Sequence, residues 1–125
     1  MRRAIAAVLA IPTLVNGLAM LAAGSLWNDT VPGVTDTGPF NPHFVQDVGA
    51  AFLAAGLALG ARAWRARYWP AAVAGAAFLV AHALLHLAMI VAGHDHHAAT
   101  NLVVVVLSAA LALYSAFPST GEHHA

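Results

Sequence analysis

The stretch from Pro70 to Ala92, PAAVAGAAFLVAHALLHLAMIVA, decides the fold. It holds no Asp, Glu, Lys or Arg. At 1.5 Å per residue a helix of this length reaches about 34 Å, enough to cross a hydrocarbon core roughly 30 Å thick. Backbone polar groups cannot stay unpaired in lipid, and no alternation of apolar and polar residues suggests a strand, so the stretch reads as a transmembrane helix.

Three further apolar stretches surround it: about Ala4 to Leu26, Phe44 to Ala61, and Ala99 to Phe117. The composition agrees. Of 125 residues 61% are hydrophobic and only 8% charged, too few charges to cover a water-facing domain, so lipid must replace water over much of the surface. The expectation is an all-α integral membrane four-helix bundle, a single transmembrane domain over 1–125. Pro70 occupies a first-turn position, Pro118 stops the fourth helix, and Pro12 interrupts the first. Asn28 to Pro42, with three prolines, two glycines and two aspartates, reads as an exposed loop.

Orientation follows from charge. All five basic residues, Arg2, Arg3, Arg62, Arg65 and Arg67, fall at the N-terminus or between the second and third helices. Four crossings put those regions on one side, and the positive-inside rule makes that side cytoplasmic, with both termini there and the chain in an inner (plasma) membrane. Trp64, Tyr68 and Trp69 flank the same loop as an interfacial belt, and Trp27 marks the opposite interface. Arg2, Arg3 and the small residues Ala22 to Ser25 also resemble a secretory signal peptide. The apolar run is longer than a usual signal core and contains Asn16, so a retained helix is the expectation and cleavage the alternative.

Small residues recur on the second and third helices. Gly56 and Gly60 have G-x-x-x-G spacing and Ala71 with Gly75 repeats it, predicting close helix contacts within or between protomers.

Function must come from the polar residues. A net charge of zero points to no nucleic acid partner, and the lack of cysteine excludes thiolate metal sites and cysteine nucleophiles. Eight histidines remain to be explained. His43 with Asp47, and His82 with His86, are spaced four apart on single helix faces. Counting from the helix ends, Asp47 and His86 both lie about 10 Å below the outer surface. A stripe of His82, His86, Met89, Gly93 and His97 leads toward the turn, where His94, Asp95, His96 and His97 cluster. Asn16 and Asn101 share this half of the membrane.

Imidazole and carboxylate suit zinc, iron or manganese, and Met89 would favour copper. His43, Asp47, His82 and His86 are therefore candidate ligands for a transition metal ion, zinc or copper first. The histidines could instead hydrogen-bond between helices, for example to Asn16, or contact haem or quinone, with His43 facing His82 or His86 across a haem. No nucleophile–base constellation points to catalysis by the chain alone. His123 and His124 read as tail residues.

The segment His43-Phe-Val-Gln-Asp47-Val-Gly49-Ala-Ala-Phe-Leu-Ala-Ala-Gly56 resembles the second-helix region of small DoxX-like membrane proteins. Phe78-Leu-Val-Ala-His82-Ala-Leu-Leu-His86 is similar to the histidine-bearing third helix of some of them. The resemblance implies a four-helix fold and, since some DoxX-like proteins are subunits of quinone-linked oxidoreductases, an accessory place in a larger membrane complex or a homo-oligomer. It carries no catalytic residue across.

Overall fold

Each apolar stretch forms a helix whose ends are set by local chemistry. The structure is a computed structural model that describes residues 1–119; His123 and His124 lie outside the described residues. The elements are α1 (Arg2–Ala22), α2 (Gly24–Thr30), α3 (Pro42–Trp64), α4 (Trp69–Val91) and α5 (Ala98–Ala116). All but α2 are long and apolar enough to cross a membrane, and no strand occurs among the described residues. The molecule is a multi-pass, all-α membrane bundle.

The boundaries differ from the sequence expectation at two places. The first helix breaks at Ala23, whose φ of −143° and ψ of 47° are not helical, and the chain restarts as the short α2. That break turns Trp27 back so that its indole N–H donates to Oδ1 of Asn16 at 2.9 Å. The exposed loop consequently begins after Thr30 rather than at Asn28. The second spanning helix, α3, starts earlier and ends later than its apolar core. Asn41 caps it by accepting from the Phe44 amide at 3.1 Å, and Pro42 follows at the first-turn position. Pro12 lies inside α1 and the adjacent Thr13 hydroxyl donates to Leu9 O at 2.7 Å.

The four long helices form a ring in which α1 packs on α3, α3 on α4, α4 on α5 and α5 on α1. Their core is mostly alanine; Ala6, Ala10, Ala55, Ala72, Ala76 and Ala112 are buried around Leu59. Small side chains let backbones approach, which is how helices gain contact in lipid. The closest approach joins α1 and α3. A Cβ placed on Gly17 would stand 2.7 Å from Leu53 N and 2.8 Å from Gly49 O. Gly56 of the G-x-x-x-G pair is equally tight against Leu14, whereas Gly60 is loose; Gly75 packs on Ala55 and Ala58 of α3. Gly17, Gly56 and Gly75 therefore serve contacts within the chain.

One end of the bundle is closed by arginine. Arg2 donates to the carbonyls of Phe117 and Pro118 at 3.0 and 2.6 Å. Arg3 donates to Ala63 O and to Trp64 O. Arg62, fully buried, reaches Phe117 O at 3.3 Å. Helix C-termini leave carbonyls without intrahelical partners and carry partial negative charge, so guanidinium groups there serve as caps.

Candidate functional site: the histidine end of the bundle

At the opposite end the polar groups belong to α4, to the turn after it, and to the first turns of α3. The helical repeat puts His82 and His86 on one face of α4 with ring centroids 4.8 Å apart, edge to face. Phe52 of α3 meets His82 edge-on at 5.3 Å and Phe78 stacks on it at 6.2 Å. Both imidazoles are half-buried. The Nδ1 atom of His86 is buried and has no hydrogen-bond partner among the described residues.

The turn after α4 is built around Asp95. Its Oδ1 accepts from the His97 amide at 2.7 Å, and its Oδ2 accepts from Asn101 Nδ2 at 2.8 Å, tying the turn to the start of α5. The Asn101 amide, then the His97 N–H and the nearby His86 and His97 imidazoles, hold the Asp95 carboxyl below the ordinary carboxylate range. His97 is covered from the other side. Gly33, at φ +83°, lets the loop before α3 lie so close that a Cβ there would be 3.0 Å from the imidazole Cδ2. His94 and His96 are exposed.

His43 and Asp47 face elsewhere. Val45 and Gly49 occupy the buried side of α3, which turns His43 and Asp47 outward. His43 Nε2 stands 3.6 Å from Asp47 Oδ2, with the two side chains 87% and 67% exposed. The structure therefore brings the four candidate ligands together as two pairs. Among the described residues, no group of three or more His, Cys, Asp or Glu is close enough to hold a metal ion.

No family model, curated protein or solved structure matches this chain. The site must be read from its own chemistry.

One residue, Phe52, escaped the sequence reading, and Asp95 and Asn16 have roles other than those expected. Asp95 was visible as one of a surface cluster, yet it is the carboxylate whose charge registers His86; equal depth had singled out Asp47. Phe52 gave no signal, since an aromatic on an apolar helix is ordinary core. Asn16 was a possible partner for the histidines and pairs with Trp27 instead. What the arrangement offers is a line of groups, His82, His86, Asp95 and His97, running from within α4 to the turn. Imidazole is a ligand type for borderline divalent cations and a proton carrier near neutral pH.

Proposed function

We propose that this chain is an inner-membrane protein, both termini cytoplasmic, that binds a transition metal ion in the outer half of the bilayer. His82 and His86 are the ligand pair, and the Asp95–His97 turn is the route from the extracytoplasmic surface. The observation that carries this reading is His86 Nδ1, buried in a membrane-spanning helix with no hydrogen-bond partner among the described residues and next to a second imidazole. An ionisable group within a bilayer costs at least a few kcal/mol unless satisfied. Ion coordination supplies that satisfaction, and an i, i+4 histidine pair gives two ligands from one rigid element. Phe52 and Phe78 restrict how the His82 ring can turn, as a ligand shell requires.

With ligands from nitrogen only and no thiolate, zinc or copper fits best. The role is sensing, storage or delivery rather than catalysis. The orientation rests on the arginine-bearing end, where five guanidinium groups and the stacked Trp64–Tyr68 pair mark the cytoplasmic interface. Retention of α1 as a spanning helix is supported by its close fit to α3 at Gly17 and Gly49. The likeness to DoxX-like proteins adds a four-helix expectation and nothing about ligands.

Elemental analysis and absorbance of gently solubilised protein test the reading. Stoichiometric zinc or copper that is lost in His82→Ala and His86→Ala supports it. Full metal retention in the double variant refutes it, and a Soret band would reassign the histidines to haem.

A further inference from the structure

The outward pair on α3 is not used by the site just described. His43, Asp47, Ala51, Ala54 and Ala58 recur at intervals of four, four, three and four, which places them on one face of the helix. That face borders an open groove of about 290 Å³ between α3 and α4, lined by Ala51, Ala54, Ala58, Ala71, Ala74 and Gly75. Small residues along such a seam let another helix come close. Yet the outer end of the same seam carries an imidazole and a carboxylate. Asp47 lies about 8 Å along the helix from Pro42, within a segment apolar enough to span the membrane. Lipid does not stabilise an exposed carboxylate, so this face wants a polar cover at one end and an apolar one along the rest.

A second copy of the chain meets both requirements. All copies insert in the same direction, so a twofold axis along the membrane normal brings α3 beside α3 with equal heights opposed. His43 and Asp47 of one chain then meet the same pair of the other, imidazole opposite imidazole and carboxylate opposite carboxylate, and a cation between them offsets the repulsion of the two carboxylates. We propose that two copies associate through this face and that the two His43–Asp47 pairs together form a four-ligand site for a divalent transition-metal ion. The geometry of one pair already suits it. Two nitrogen or oxygen ligands of a tetrahedral zinc ion, each at 2.0–2.2 Å, stand about 3.3–3.6 Å apart. His43 Nε2 and Asp47 Oδ2 are 3.6 Å apart. One chain offers two ligands, and the partner copy completes the set.

The test is energy transfer between donor- and acceptor-labelled full-length chains in liposomes, titrated with zinc and with chelator. Zinc at one ion per two chains should tighten dimerisation at least tenfold. His43→Ala, Asp47→Ala and Ala54→Phe should each remove that response, while Ala110→Phe, in the groove between α4 and α5, should keep it. All the substituted side chains are exposed, so the variants are expected to fold, and cooperative unfolding verifies that. Chains that stay monomeric with zinc, or a zinc response that survives His43→Ala and Asp47→Ala, overturn the proposal. The same titration in the His82→Ala/His86→Ala chain separates the two sites: dimerisation there stands or falls independently of metal at α4.

Discussion

Replacing Gly17 by alanine adds one methyl group where α1 and α3 are closest. The new Cβ would meet Leu53 N at 2.7 Å and Gly49 O at 2.8 Å, both backbone atoms that cannot rotate away. The nearer contact is about 0.7 Å short of the 3.4 Å at which ordinary van der Waals contact begins. The helices must therefore separate by that order, and the loss spreads along the interface. Overpacking of this kind costs about 1–3 kcal/mol. Even its lower end reduces the folded-to-unfolded ratio about fivefold. Alanine also favours helix over glycine by about 0.5–1 kcal/mol, so the comparison needs a matched control. Gly60→Ala provides one, because its Cβ would find only Ala10 Cβ, at 4.0 Å. Reversible unfolding in mixed micelles, followed by tryptophan fluorescence, should rank Gly17→Ala below the parent and Gly60→Ala at or above it. Equal midpoints for the two variants would refute the close-approach argument.

Two further perturbations address the histidine end and the orientation. The Asp95 carboxyl is held below its ordinary range, so its contribution to the turn is present at neutral pH and is lost as the pH falls through the ordinary carboxylate range and on through the depressed value. The protection of the His97 amide against hydrogen exchange, taken relative to its intrinsic rate at the same pH, should fall on that acidification and, at neutral pH, in Asp95→Ala; protection indifferent to both would contradict the turn's assignment. The natural chain has no cysteine, so single thiols report sidedness cleanly. A membrane-impermeant maleimide should label Thr35→Cys in intact cells and Ala66→Cys only after permeabilisation, and the reverse pattern would invert the orientation.

The helices were legible because lipid leaves an apolar stretch no alternative to internal hydrogen bonding. Their rotations were not. In water, the contrast between polar and apolar faces marks the buried side of a helix. In lipid both faces of α3 are apolar, and the contrast disappears. Counting residues gave Asp47 and His86 a shared depth, but depth carries no information about azimuth. The residues that do fix rotation are glycines: Gly49 and Gly56 face α1, and this turns Asp47 outward. Gly17 was passed over beside the more conspicuous Asn16, and the G-x-x-x-G pair drew attention although only Gly56 is tightly packed. The break at Ala23 was also hidden, since Ala23-Gly24-Ser25 reads equally as a helix end or a helix interior. Arg62 was read as lying between the second and third helices, just past Ala61. It is instead fully buried, which is possible because carbonyls at the helix ends accept hydrogen bonds from its guanidinium.

The contrast between the two ends bears on where function resides. At the arginine end, Arg2, Arg3 and Arg62 all donate to helix-terminal carbonyls, so the fold itself explains these polar groups. At the other end the fold accounts for Asp95 and Asn101, which close the turn, and for Asn16, which holds Trp27. It does not account for His86 Nδ1, or for the outward His43 and Asp47. Leucine or alanine at those positions would relieve the penalty that lipid imposes and would leave every described hydrogen bond intact. These are residues that the described hydrogen bonds of the bundle do not use and that lipid disfavours. An ion is the proposed partner of the pair on α4, and a second copy of the chain that of the outward pair on α3.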